Sequence, residues 1–147
     1  MQILKGHDNI FDLPCDAVCV TTNGVVKRDG SAVMGAGIAR EADQRYHLAR
    51  TLGGMLASSG SHCFDLGIRD NKHIISFPTK HDWRDDSDPD LIRQSCKELV
   101  EIADEKSLGR ILLPPVGCGC GKLSWDTVSR ILSESLDDRF IVYFRVR

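Results

Sequence analysis

No stretch of this sequence is apolar for long enough to cross a membrane, and the opening MQILKGHDNIF has neither a long hydrophobic segment nor a cleavage site. A cytoplasmic protein is therefore expected. Charge of one sign is also scarce: 19 Lys and Arg against 21 Asp and Glu leave a net charge of -2, so nothing draws the whole chain to a polyanion. Extended duplex binding is disfavoured. CxxC pairs are missing too. The nearest cysteines are the CxC of Cys118 and Cys120, and no histidine stands within ligand-motif spacing of them, so neither a metal site nor a cofactor is expected. The absence of both GKS/GKT and GxGxxG excludes the two common nucleotide fingerprints. There is no internal repeat, linker or low-complexity tract.

What remains is an ordinary globular composition of 147 residues, 41% hydrophobic and 27% charged, which fits one domain over residues 1–147. Six cysteines spread through a chain large enough to fold without staples are expected to be reduced thiols. Apolar runs alternate with helical stretches, the mark of a mixed or parallel sheet covered by helices. Strands are expected at Gln2 to Leu4, Ala17 to Thr21, His62 to Leu66, His73 to Phe77, Arg110 to Leu113 and Phe140 to Phe144. The segment GIRDNK should be the turn between the third and fourth. Helical spacing runs from Ala36 to about Ser58, with Gly53 and Gly54 weakening its second half. It recurs from Asp90 to Lys106 and again from Ser124 or Trp125, where Val128, Ile131, Leu132 and Leu136 form the stripe.

Two glycine loops carry the chemistry. VMGAGIA, Val33 to Ala39, sets Gly35 and Gly37 where a helix begins, and the exposed amides of a helix start suit a phosphate. A tight connection would use the same residues. PPVGCGCGKLSW, Pro114 to Trp125, has glycines at alternate positions 117, 119 and 121, as expected of a backbone exposed for contact. Both loops follow strands, and loops at the carboxyl ends of parallel strands gather around one crevice. A diphosphate ligand is the joint expectation.

NIFDLPCDAVCVTTNG (9–24), VMGAGIA, FPTKHDW (77–83) and LPPVGCGCGKLSW occur in the order of the macrodomain family, which this chain resembles over nearly its whole length. The FPTK element and the GCGxGxLxW pattern are most similar to the branch holding the DarG antitoxin macrodomain and the terminal ADP-ribose protein glycohydrolase. The resemblance implies a three-layer α/β/α sandwich with a central mixed sheet. It implies a monomer that binds ADP-ribose or ADP-ribosylated DNA or protein, and that removes the ADP-ribose. By position, Asp8, Asn9 and Ile10 would meet the adenine, Asn23 would lie by the distal ribose, and Gly35, Ala36, Gly37 and Ile38 would hold one phosphate. Gly117, Cys118, Gly119, Cys120 and Gly121 would cradle the diphosphate and ribose from the other side, with Thr22, Val33, Met34 and Pro115 as further ligand contacts. Tyr143, with Phe144 second, would pack on the adenine, although either ring serves equally well as core.

Lys80 matches the lysine that acts in this branch. Its amine can attack the anomeric carbon and form a Schiff-base-type adduct that later hydrolyses, provided that desolvation or a nearby cation leaves it partly neutral. Two departures bear on this. Val20 stands where many macrodomains carry an asparagine, and Gly121 where glycosidase-type relatives carry an aspartate, although the DarG-like pattern also has glycine there; Asp126 is a substitute acid or a helix-dipole residue. The loop holding His81, Trp83 and Arg84 either covers the ligand or is a surface connection. Cys118 reads as loop filler rather than nucleophile. The alternatives to a glycohydrolase are a non-catalytic ADP-ribose reader and a hydrolase of soluble ADP-ribose derivatives.

Overall fold

The computed structural model describes residues 1–147. In chain order the elements are β1 (Gln2–Gly6), β2 (Ala17–Thr22), α1 (Gly37–Tyr46), α2 (Ala49–Ser59), β3 (Asp65–Arg69), β4 (Lys72–Pro78), α3 (Pro89–Glu105), β5 (Ile111–Leu113), α4 (Trp125–Ser133) and β6 (Phe140–Arg145). A 3-10 turn at Ile10–Asp12 precedes β2. The strands form one mixed sheet in the order β1-β6-β5-β2-β4-β3, parallel throughout except for β3 with β4. No helix is long and apolar enough to cross a membrane.

Side chains alternate across a strand, so a sheet covered on both faces needs apolar residues at every position. Hence AVCV. Ala17 and Cys19 pack with Leu99 of α3 and Val128 of α4, whereas Val18 and Val20 pack with Ala39 of α1 and Leu52 of α2. Central β5 and β6 repeat the pattern: Ile111, Leu113 and Val142 join the first layer, Leu112 and Ile141 the second. This is the expected three-layer sandwich. Its topology also fixes where a ligand can enter. The chain leaves β2 for α1 on one face and leaves the adjacent β5 for α4 on the other, so a crevice opens between their carboxyl ends.

Three elements differ from expectation. The helix expected over 36–58 is two helices, because the Asp43 carboxylate accepts from the amides of Leu48 and Ala49, both at 3.0 Å, while His47 turns left-handed at φ 55°. The second half survives its glycines. A Cβ on Gly53 would overlap the Gly30 carbonyl and lie 2.9 Å from the Ala32 amide, so glycine admits the loop that packs against α2. The third strand is shifted: Ile68 and Arg69 pair with His73 and Lys72, leaving only Asp70 and Asn71, both at positive φ, as the turn. Residues 62–64 are held partly by side chains, the Cys63 amide by Glu98 Oε1 and the Phe64 amide by Ser76 Oγ. The last helix stops at Ser133, and Leu136 is buried just beyond it.

Candidate functional site

A cleft of about 820 Å³ opens at the carboxyl ends of β2, β4 and β5, within the range of small-molecule and cofactor sites. One wall is Thr21 to Asn23, Val33 and Gly35 to Ala39; the facing wall is Pro114, Pro115, Gly117 and Gly119 to Gly121. Thr79, Lys80, Trp83 and Ser87, from the loop after β4, and Arg147 complete it. Lys80 and Arg147 supply the charged side chains of the lining, and no Asp or Glu lines the cleft. An anion entering it meets attraction without opposing charge.

The first wall presents unpaired amides. α1 opens on Ala36 with no side-chain cap, and its first bond runs from the Arg40 amide to the Ala36 carbonyl at 3.2 Å. The amides of Gly37, Ile38 and Ala39 thus have no carbonyl partner in the chain. Gly37 stands at φ 56°, a conformation that aims this backbone at little cost only in glycine. Asn23 fixes the approach: its Nδ2 donates to the Val33 carbonyl at 3.0 Å, and its Oδ1 accepts from the Val25 amide at 3.0 Å.

The second wall is a pair of turns. The Cys118 amide donates to Pro115 O at 3.3 Å and the Lys122 amide to Gly119 O at 3.1 Å, while the amides of Gly117, Gly119, Cys120 and Gly121 donate to no group of the chain. Such runs of free amides form anion-binding concavities. Gly121 also explains the missing aspartate. A Cβ there would overlap Ser87 Oγ and lie 2.6 Å from the Gly117 carbonyl, so the space is filled by Ser87. That hydroxyl is buried without a partner.

Lys80 reaches from one wall to the other, donating from Nζ to the Cys120 carbonyl at 3.1 Å. Its backbone is fixed. Ser95 Oγ donates to Pro78 O at 2.6 Å, the Thr79 amide to Thr22 O at 3.1 Å, and the Asp88 amide to Thr79 O at 2.8 Å. The loop beyond is equally tied, with the Gly24 amide on His81 O at 3.1 Å and the Ser87 amide on Gly121 O at 2.9 Å. His81 Nε2 lies 2.8 Å from Asp88 Oδ2, and this contact, ahead of the Asp90 and Leu91 amides, lowers the Asp88 carboxyl below its usual range.

Lys80, Thr22, Asn23, Val33, Gly35 to Ile38, Pro115, Gly117 and Gly119 to Gly121 therefore meet in one cleft, as expected. Six expected ligand residues lie off its walls. Tyr143 is in the core, 3% exposed, its hydroxyl donating to Asp8 O at 2.7 Å, and Phe144 packs edge-on against Trp125. Asn9 caps the 3-10 turn and bonds Glu41, Ile10 and Met34 are buried beside α1 and α2, and Cys118 Sγ turns to the Val116 carbonyl. Asp8 is exposed at the end that Tyr143 holds. Unforeseen on the walls are Thr21, Ala39, Thr79, Ser87, Pro114 and Arg147. Thr79 and Pro114 sit inside FPTK and LPPVG and were open to inference; Ser87 and Arg147 carry no sequence signal.

The family model described as Macro domain matches residues 31–132. The DNA ADP-ribosyl glycohydrolase of Mycobacterium tuberculosis is 31% identical over 138 residues, covering 89% of this chain and 38% of that protein. The protein of that name from Thermus aquaticus is 28% identical over 144 residues, 93% of this chain and again 38% of the relative. Among solved structures, the macrodomain of Mycobacterium tuberculosis DarG superposes with a TM-score of 0.81 at 29% identity, covering 99% of both chains. The chain thus spans under two fifths of the length of the curated relatives it matches.

Proposed function

The chain belongs to the macrodomain family, and from that premise we propose that residues 1–147 act as a single macrodomain that binds ADP-ribose in the cleft and removes it from a modified macromolecule. The observation that carries this is the pairing of two sets of unpartnered amides, Gly37 to Ala39 and Gly117 with Gly119 to Gly121, across a cleft that no Asp or Glu lines. A diphosphate satisfies both sets at once. The relatives named DNA ADP-ribosyl glycohydrolase make a DNA base the first acceptor to test, with acidic protein side chains second. A cytoplasmic monomer belongs to the same reading: one chain supplies every wall, and six unpaired thiols suit a reducing compartment.

Lys80 supplies the chemistry in this proposal. Its neutral amine attacks the anomeric carbon of the distal ribose, the glycosidic bond breaks with its electron pair and the amine's surplus proton going to the acceptor, the ribose ring opens to a Schiff base, and water hydrolyses that adduct to free the lysine and ADP-ribose. To attack, the amine must give up a proton and its bond to the Cys120 carbonyl, so ligand entry has to shift that contact.

Calorimetry with ADP-ribose tests binding, and release from an ADP-ribosylated oligonucleotide and from glutamate-linked protein tests turnover. Lys80→Ala is expected to bind ADP-ribose yet release nothing. Lys80→Arg, which keeps the charge but offers no nucleophilic amine, is expected to fail equally. Turnover by Lys80→Arg would reduce Lys80 to an electrostatic role. One observation favours the alternative of a non-catalytic reader: with no Asp or Glu on the walls, no acidic side chain faces the sugar. Tight binding with no release from either substrate decides for it.

A further inference from the structure

Trp83 is the exposed aromatic of this molecule. At 52% exposed it stands at the cleft three residues after Lys80, where Phe77, Phe140 and Tyr143 are all core. An indole left half in water forfeits the gain of burial, so its position calls for a reason other than packing. It is also held still. The Arg84 guanidinium lies 5.5 Å from the ring centroid, and Arg84 is clamped by Asp82 through Nε to Oδ1 at 3.0 Å and Nη2 to Oδ2 at 2.7 Å. With Gly24 bonded to His81 and Ser87 to Gly121, the segment carrying the indole is tied to the turn after β2 and to the second glycine loop.

We propose that Trp83 is the stacking platform for the nucleobase from which Lys80 removes ADP-ribose, which makes it the residue selecting a single-stranded DNA acceptor over a protein side chain. The proposal rests on the glycohydrolase reading of the cleft. A flat ring beside the nucleophile suits a flat leaving group, and a cation set over an indole strengthens its hold on π systems. A carboxylate acceptor has no face to offer. A base paired in duplex has both faces covered, so the platform takes an unpaired or flipped one. The surrounding charges agree with recognition of the base rather than of the strand. Asp82 is paired with Arg84 and Asp86 with Lys122 at 3.9 Å, and Asp88 is hydrogen-bonded to His81, while Asp85 is exposed and unfavourable to a phosphate backbone.

The test compares kcat/KM on an ADP-ribosylated single-stranded oligonucleotide with kcat/KM on glutamate-linked ADP-ribosylated protein, for wild type, Trp83→Ala and Trp83→Phe. Trp83→Ala is expected to raise KM for the oligonucleotide roughly five- to a hundredfold, the range of one lost base stack, and to lose far more on DNA than on protein. Trp83→Phe, which keeps a ring, should recover most of that loss. Equal losses on both substrates would make Trp83 a cover for the ribose and overturn the proposal, as would an unchanged KM for the oligonucleotide. Wild-type protein that neither binds ADP-ribose nor releases it would fail at the earlier step and remove the glycohydrolase reading with it.

Discussion

At position 121 the second glycine loop runs so close to the segment after β4 that the Ser87 hydroxyl stands where any side chain would begin. An aspartate there would have to displace Ser87 and move the Gly117 carbonyl. Gly121→Asp is therefore expected to lower stability by roughly 1–3 kcal/mol, the usual range for overpacking, without raising turnover. Pairing it with Ser87→Gly should return part of the loss, because the nearer of the two colliding groups is gone while the Gly117 carbonyl stays. Ser87→Ala alone removes a buried hydroxyl that has no partner and should leave stability unchanged or slightly higher. Urea denaturation of the four proteins checks the set; full stability in Gly121→Asp would show that the two loops are free to part. The composition of the loop, with its three alternate glycines, was readable in the sequence. Which glycine was indispensable was not, because the group that demands it lies 34 positions earlier in the chain.

Among the elements, α3 has the best-defined start. Asp88 caps it by accepting from the Asp90 amide at 2.9 Å, Pro89 opens the first turn, and the same carboxylate holds His81. Asp88→Ala is expected to cost about 1 kcal/mol through the lost cap and to loosen the segment bearing Trp83. The sign with pH follows from the lowered carboxyl. A group whose folded pKa is depressed stabilises fully above its unfolded value, near pH 4, and the contribution fades as pH falls through the folded value. The gap between wild type and Asp88→Ala should accordingly be present at pH 6 and narrow toward pH 3 in thermal melts. A gap that widened in acid would mean that the carboxylate does not act as the cap. The acidic Ser, Asp and Pro run announced this start in the sequence. The break between α1 and α2 was hidden, because an apolar stripe continues through it and only the reach of the Asp43 side chain interrupts the backbone.

At the scale of the whole molecule, the order of strands and helices was legible because each strand is a short apolar run and each helix a striped one. The place of Tyr143 was not legible, since the ring looks alike as a core residue and as a cleft residue until the Asp8 carbonyl is seen to hold its hydroxyl. The meeting of the glycine loops depended on β2 and β5 being neighbours with connections to opposite faces, which no single segment encodes. The cysteines offer a way to test that meeting without any substitution. Burial leaves Cys19, Cys63 and Cys96 inaccessible and pushes their thiols up, the first two well above the ordinary range and Cys96 to about 12, so none should react in the native protein. Cys120 is exposed on the cleft wall, whereas Cys15 is half-buried away from it. A thiol reagent should label Cys120 first, saturating ADP-ribose should slow that reaction while leaving Cys15 unaffected, and all six thiols should react in urea. Mass spectrometry of the labelled peptides reads each site separately. Labelling of Cys120 at the same rate with and without saturating nucleotide would mean that the ligand does not lie against the second glycine loop, and the shared cleft would lose its role as the diphosphate site.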